Sequence, residues 1–433
     1  MFFLRQRLSA YAVYLILESS YAVFFGMIAT INLVYQVEVA HLNPLQLVLV
    51  GTALEAVCFV CQVPTGALAD LYSRRLAVIL GTLLAGAGFV LEGSIPRFAT
   101  ILVAQVLWGT GATFINGAEE AWIAGEVGEA RVGQTFIRGG QAGLLGGLIG
   151  AVISVALGSI RLNLPIVLGG GLMMALGVFL LLAMPERGFQ RTPREDRTTW
   201  QSIGDTICNG TRIVRRSPFL LTILAVGAFF GMSGEGFDRL NVAHFLHNFT
   251  LPALGPLKPV VWFGIMTVGT TLLGLVAAEI VRRRLNTNNH VAVARTLFAF
   301  EAMQVASIIG FGLAGNFTLA LATFWGATVF RRTAGPVYMA WLTQSIEPRV
   351  RATVISMSGL VDAFGQIAGG PAIGAIGTFV SLRAALVSAG ALLAPVLPLF
   401  ARAGRQGDGG GKPGAGADDG VEASVGGASG SVE

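Results

Sequence analysis

Charge is what this chain has least of. Only 12% of its 433 residues are Asp, Glu, Lys or Arg, against 54% hydrophobic, and Lys occurs just twice. Soluble domains carry about twice that charge fraction, so a water-soluble globular protein is excluded. Four histidines and three cysteines are too few and too scattered for a metal centre or a disulfide framework. Cys58 and Cys61 form C-x-x-C, but inside an apolar run, where a small buried thiol is the plainer reading. No G-x-x-x-x-G-K-[ST] occurs, which excludes a self-contained ATP-driven machine. No Ser/His/Asp or metal-ligand constellation marks an enzyme, and nothing calls for a cofactor.

What the chain does have is long apolar runs. About 20 mostly apolar residues cross the hydrocarbon core as a helix. Twelve such runs occur, near 10–38, 44–69, 76–95, 98–125, 133–158, 164–184, 217–245, 259–281, 290–313, 317–345, 352–376 and 381–401. The expected fold is therefore an all-α polytopic membrane protein. The first run is too long for a signal-peptide core and carries Glu18, so it reads as a span. With a cytoplasmic N-terminus, 22 of the 29 Lys and Arg residues fall in or beside cytoplasmic segments. That bias predicts both termini in the cytoplasm. The net charge of +5 thus reports topology, and no nucleic-acid partner is expected.

The longest polar interruption, 185–216, divides the spans into six and six. Within it Trp200, Ile203, Ile207 and Val214 recur at helical spacing beside arginines, which predicts a short amphipathic helix on the membrane surface. The expected units are an N-terminal bundle (1–184), this linker, a C-terminal bundle (217–402) and a Gly-rich disordered tail (403–433). The halves echo each other. "FFGM" occurs in spans one and seven, "GALADLYSRR" and "GLVAAEIVRRR" follow spans two and eight, and "AW" closes spans four and ten. Three echoes in matching order predict a duplicated six-helix unit, two pseudo-symmetric bundles related by an axis along the membrane normal.

With twelve spans, a long central loop and "GALADLYSRR" after span two, the chain resembles the major facilitator superfamily. Gly66, Leu68, Asp70, Arg74 and Arg75 match its loop pattern; Leu71 and Ser73 depart from it. "TFINGAEEAWIAGE", "EGFDRL" and "RATVISMSGLVDAFGQIAGGPAIGAIG" look most like the branch of bacterial drug:proton antiporters that includes macrolide and tetracycline exporters. Two positions differ from that branch. Gln105 stands where an Arg is common in span four, and Ala142-Gly143 replace Gly-Pro in span five. The resemblance implies proton-coupled export of a hydrophobic drug-like molecule by alternating access, from a monomer in the bacterial inner membrane. The implied partners are a small-molecule substrate, protons and the lipid bilayer. Uptake of a small metabolite on the same fold is the alternative.

An embedded charge costs about 2.5–3.5 kcal/mol on insertion scales, so it normally faces protein or water and often marks an ion path. Glu18 lies on span one, Glu119 and Glu120 on span four, Glu235, Asp238 and Arg239 on span seven, Arg331 and Arg332 on span ten. In the resembling fold these four spans line the central cavity. Glu235, Asp238 and Arg239 share a helix face by spacing. Two readings stay open for them, a proton-coupling carboxylate beside a Glu–Arg pair or a static cluster that locks the halves. Glu119 and Glu120 point about 100° apart, so one is expected to face the cavity and the other a neighbouring helix. Arg331 is expected to partner a carboxylate across the cavity. In the family Asp70 belongs to a gate; here it is expected to dock on the positive N-terminus of span eleven, with Gly66, Arg74 and Arg75 beside it. The reading of Arg74 and Arg75 as mere topological anchors stays open.

Overall fold

The structure is a computed structural model that describes residues 8–189, 218–286, 289–346 and 348–401. The amphipathic helix expected near 200–214 and the tail expected over 403–433 lie outside the described residues. The described residues form thirteen helices, a short helical segment over 396–401 that continues the last of them after a turn, and no strand. They run α1 (Ala10–Glu38), α2 (Pro44–Leu71), α3 (Arg74–Ser94), α4 (Phe98–Ile115), α5 (Ala118–Val127), α6 (Glu129–Gly158) and α7 (Leu164–Ala183). After the linker follow α8 (Pro218–Asn248), α9 (Val261–Arg284), α10 (His290–Leu313), α11 (Phe317–Ser345), α12 (Pro348–Phe379) and α13 (Leu382–Leu393). Ten segments are long and apolar enough to cross a membrane, with α4 and α5 counted as one. The two other crossings, α11 and α12, carry Arg331 and Arg332, and Arg351 and Asp362 respectively, which lowers their apolarity.

Short polar residues start the helices where a bilayer protein must satisfy its free N–H groups. Asn43 and Gln46 cap each other's segment reciprocally at α2, while Ser73, Asn289, Asn316 and Ser381 cap α3, α10, α11 and α13. The expected single span over 98–125 is instead two helices. Gly117 has a φ of 78°, a left-handed conformation that breaks the ladder between α4 and α5. The dipeptide Asn116-Gly117 is the local signal for this break.

The duplication is visible as packing. In the first half α1 packs on α6, α3 on α4 and α7, and α2 on α4. In the second half α8 packs on α12, α10 on α11 and α13, and α9 on α11. These are the same four pairings with the helices renumbered by six crossings. Between the halves α2 meets α12 and α8, and the symmetry-related α6 meets α9.

Lipid supplies no hydrophobic drive between helices, so small residues that admit close backbones carry much of this packing. A Cβ on Gly150 of α6 would collide with the Val23 carbonyl of α1, and one on Gly146 would lie 2.6 Å from the Ser19 carbonyl. A Cβ on Gly147, between them, would meet nothing within 4 Å, although its backbone lies against Gly26. Gly150→Val should therefore lower the thermal midpoint in detergent, since overpacking costs about 1–3 kcal/mol, whereas Gly147→Ala should leave it unchanged. Equal midpoints for the two variants would contradict the α1–α6 contact.

Candidate functional site

The seam between the halves is tight at one end and holds a chamber toward the other. At the face where α1 ends, the Leu45 N–H donates to Thr378 Oγ1 at 2.9 Å, joining the start of α2 to the end of α12. Gly374 and Gly377 let α12 approach Leu45, Val48 and Pro44 there. Toward the opposite face, where α1 begins, α2 and α12 diverge around a chamber of about 700 Å³. Its walls include Phe59, Val63 and Ala67 on one side and Met357, Leu360 and Ala363 on the other.

Glu235 and Arg239 form an ion pair at 2.9 Å on α8, their side chains only 5% and 18% exposed. The pair sits where the seam is tight. A Cβ at Gly51 of α2 would collide with Glu235 Oε1 and Arg239 Nε, and one at Gly370 of α12 would lie 3.0 Å from Glu235 Cγ. Glycine on both flanking helices is thus what admits the pair.

Asp238 does not join them. It accepts two hydrogen bonds from Arg331 of α11, at 2.7 and 2.9 Å. Both side chains are about two-fifths exposed, 44% for Asp238 and 41% for Arg331. The spacing that placed three charges on one face is therefore resolved into two pairs facing different neighbours. Their energetics differ. A water-accessible pair is worth about 0–1 kcal/mol, whereas removing one partner of a desolvated pair costs about 3–5 kcal/mol. Asp238–Arg331 is the more water-accessible pair and Glu235–Arg239 the more desolvated one. Asp238 and Arg331 line two cavities at once. One, of about 390 Å³, lies within the C-terminal half; the other, of about 220 Å³, is shared with Thr30 and Leu33 of α1. Arg332 lines the smaller one.

In the first half the adjacent acids separate. Glu120 is exposed and accepts the Gly117 N–H at 2.9 Å, capping α5 after the break. Glu119 turns inward, with one carboxyl oxygen buried and without a hydrogen-bond partner. It lies within electrostatic reach of Glu18 and Tyr21, and Glu18 in turn packs near Gly143 of α6.

Asp70 pairs with Arg74 at 3.5 Å and lines the 700 Å³ chamber together with Gly66. Ser356 and Gly359 stand on the chamber's α12 wall. Arg74 also donates to the Ala121 carbonyl at 3.1 Å, and Arg75 to the Leu181 carbonyl at 2.6 Å. Glu186 accepts from Ser73 Oγ and the Arg75 N–H. The loop is thus tied to its own half across an open chamber.

Four further embedded acids lie outside the set that the sequence singles out. Glu92 is fully buried and accepts from Gln36 and Gln105 at 2.7 and 3.1 Å. Glu55 lines the seam chamber, and Glu301 and Asp362 line the C-terminal cavity. Glu55 and Asp362 are legible as charges within apolar runs; their placement on the two helices that make the seam is not.

The Major Facilitator Superfamily model matches residues 12–330, well over half of the chain. The chain belongs to that superfamily. It is also 22% identical over 356 residues to the uncharacterized MFS-type transporter YxaM of Bacillus subtilis, covering 82% of this chain and 86% of that protein. Among solved structures, the nucleoside transporter NupG superposes with a TM-score of 0.72 at 12% identity, over 92% of this chain and 99% of that one. A POT family transporter in complex with a thioalcohol-conjugated peptide gives 0.68 at 13%, over 92% and 96%. A bacterial homologue of the human lysosomal transporter Spinster gives 0.66 at 15%, over 91% and 96%. These similarities are of fold. The chain is a multi-pass membrane transporter of this superfamily, not an enzyme.

The two ion pairs give an ordered expectation for stability. Arg239→Ala should destabilise the transporter by about 3–5 kcal/mol, because Glu235 is left buried and unpaired, and Arg331→Gln by about 1 kcal/mol or less. Denaturation in detergent checks this; the reverse order would contradict the difference in burial between the two pairs.

Proposed function

We propose that the transporter exports a hydrophobic, drug- or antibiotic-like small molecule in exchange for protons, the bundles 1–184 and 217–402 rocking about the seam. One observation carries this reading: a chamber of about 700 Å³, walled by apolar side chains together with Glu55, Gln62, Asp70, Asn116 and Ser356, lies between the halves toward one end of a seam that is tight at the other. An apolar wall suits an apolar cargo, and a site reached from one side at a time is what coupled transport requires. With the termini in the cytoplasm, as the arginine bias argues, the chamber's end of the seam is cytoplasmic and the chamber is poised to load from within the cell.

Export against a gradient needs a second, coupled flow. Embedded acids are the usual carriers of exchanged protons, and Glu119, inward and with an unpartnered oxygen beside Glu18, is placed for that part. Asp238 becomes accessible as its pair with Arg331 opens. Glu235 and Arg239 hold the sealed end, and Asp70 with Arg74 and Arg75 forms the opposing gate, which closes when α12 swings toward the loop. Glu120 acts through the cap it gives α5. Uptake of a polar metabolite is the second reading, favoured by Gln304 and Gln366 in the C-terminal cavity.

Inverted vesicles supplied externally with a fluorescent hydrophobic cation and energised with a pH gradient separate these readings. Accumulation in the vesicles is expected for the wild type. Glu119→Gln should cut gradient-driven accumulation at least about tenfold while preserving substrate counterflow, because only proton exchange is lost. Gradient-driven transport at the wild-type rate in Glu119→Gln removes that residue from coupling; release from pre-loaded inverted vesicles in place of accumulation establishes uptake.

A further inference from the structure

The seam chamber leaves unexplained the cavity within the C-terminal half. At about 390 Å³ it is within the range of small-molecule sites, roughly 300–1,000 Å³. Three carboxyl groups line it, Asp238, Glu301 and Asp362, against one guanidinium, Arg331. That guanidinium is committed to Asp238 through two hydrogen bonds, although Glu301 and Asp362 lie within its electrostatic reach. Asp362 is partly satisfied by Gln366 at 3.0 Å.

Glu301 is different. It is 2% exposed, and its Oε2 has no hydrogen-bond partner. Gln304, one helical turn on along α10 and 5% exposed, likewise has an unpartnered Oε1. Among the described residues neither buried oxygen has a hydrogen-bond donor, and the one guanidinium on the lining, Arg331, is hydrogen-bonded to Asp238. Buried acceptors left in this state cost about 1–3 kcal/mol each, and a cation in the cavity would satisfy both.

The walls say which cation. Among the described residues no group of His, Cys, Asp and Glu converges closely enough to hold a metal ion. Apolar and aromatic side chains complete the cavity with Ser233, Gln366 and the hydroxyl of Tyr338. Phe230 and Tyr338 meet edge to face at 5.8 Å, with Phe237 and Leu393 adjacent on the lining. Ring faces attract a cation whose charge is spread among apolar substituents.

We infer that the C-terminal half contains a binding chamber for an organic ammonium. Glu301 is its counter-ion, the Gln304 carbonyl points its dipole at the charge, and Phe230 and Tyr338 form the apolar wall. The Asp238–Arg331 pair stands between this chamber and the smaller cavity between the halves, so its opening connects the two. The inference rests on the transport reading only in making the ammonium a part of the cargo; binding itself does not depend on transport.

Isothermal titration calorimetry on the full chain in detergent, with choline and its uncharged tert-butyl isostere as probes, tests it directly. The wild type should bind choline at least about tenfold tighter than the isostere. Glu301→Gln should abolish that preference, and Glu279→Gln, which removes an exposed acid from α9 of the same half, should retain it. Equal binding of both probes by the wild type overturns the inference without any variant. So does a preference that survives in a folded Glu301→Gln protein. Ammonium-selective binding without gradient-driven transport in vesicles would sink the transport reading alone; vigorous transport without that selectivity would sink the chamber alone.

Discussion

An ion in hydrocarbon has to be answered by an opposite charge, an amide or water, and that requirement organises this molecule. The answers differ from site to site. Glu92 is answered by the amides of Gln36 and Gln105, Glu235 by Arg239 on the next turn, and Asp238 by a bidentate arginine from another helix. Glu119 and Glu301 each keep an oxygen with no hydrogen-bond partner among the described residues. The proposed exchange of protons and binding of an ammonium draw on these two, while the partnered charges hold the fold.

The glycines serve the same requirement from the other side. Gly51 and Gly370 let two helices of opposite halves close over Glu235, so the tightest part of the seam is built around a desolvated ion pair. Away from it α2 and α12 part by the length of the chamber, and the loop with Asp70, Arg74 and Arg75 bonds only to carbonyls and carboxylates of its own half among the partners described. Close helices at one end of the seam and a chamber at the other make an asymmetry that the duplicated sequence conceals. It arises because the repeats differ in these side chains, not in how their helices pair.

Much of the fold is legible in the sequence because a bilayer imposes a length. Apolar runs such as 164–184 or 290–313 need no partner to be recognised, and they match α7 and α10 within a residue or so. The break at Asn116-Gly117 escapes, since a window of about twenty residues averages over one left-handed glycine. The site is less legible. Helical spacing correctly joins Glu235 to Arg239, but Asp238 is paired 93 positions away, a distance no local pattern spans. Glu301 lies on a helix that counts as peripheral in the resembling fold, yet its side chain reaches inward to a cavity. Glu120, read as a cavity charge, is placed at the third position of a short helix whose start only the break creates.

The most direct measurement is a pair of distances. Spin labels on a cysteine-free protein, at Ala67 with Leu360 across the chamber and at the exposed His41 with Val380 beside the tight end, report the two ends of one seam. Rocking about the Glu235–Arg239 contact predicts that a proton gradient with saturating substrate shortens the first distance while lengthening the second. Both distances staying fixed, or changing in the same direction, would contradict it.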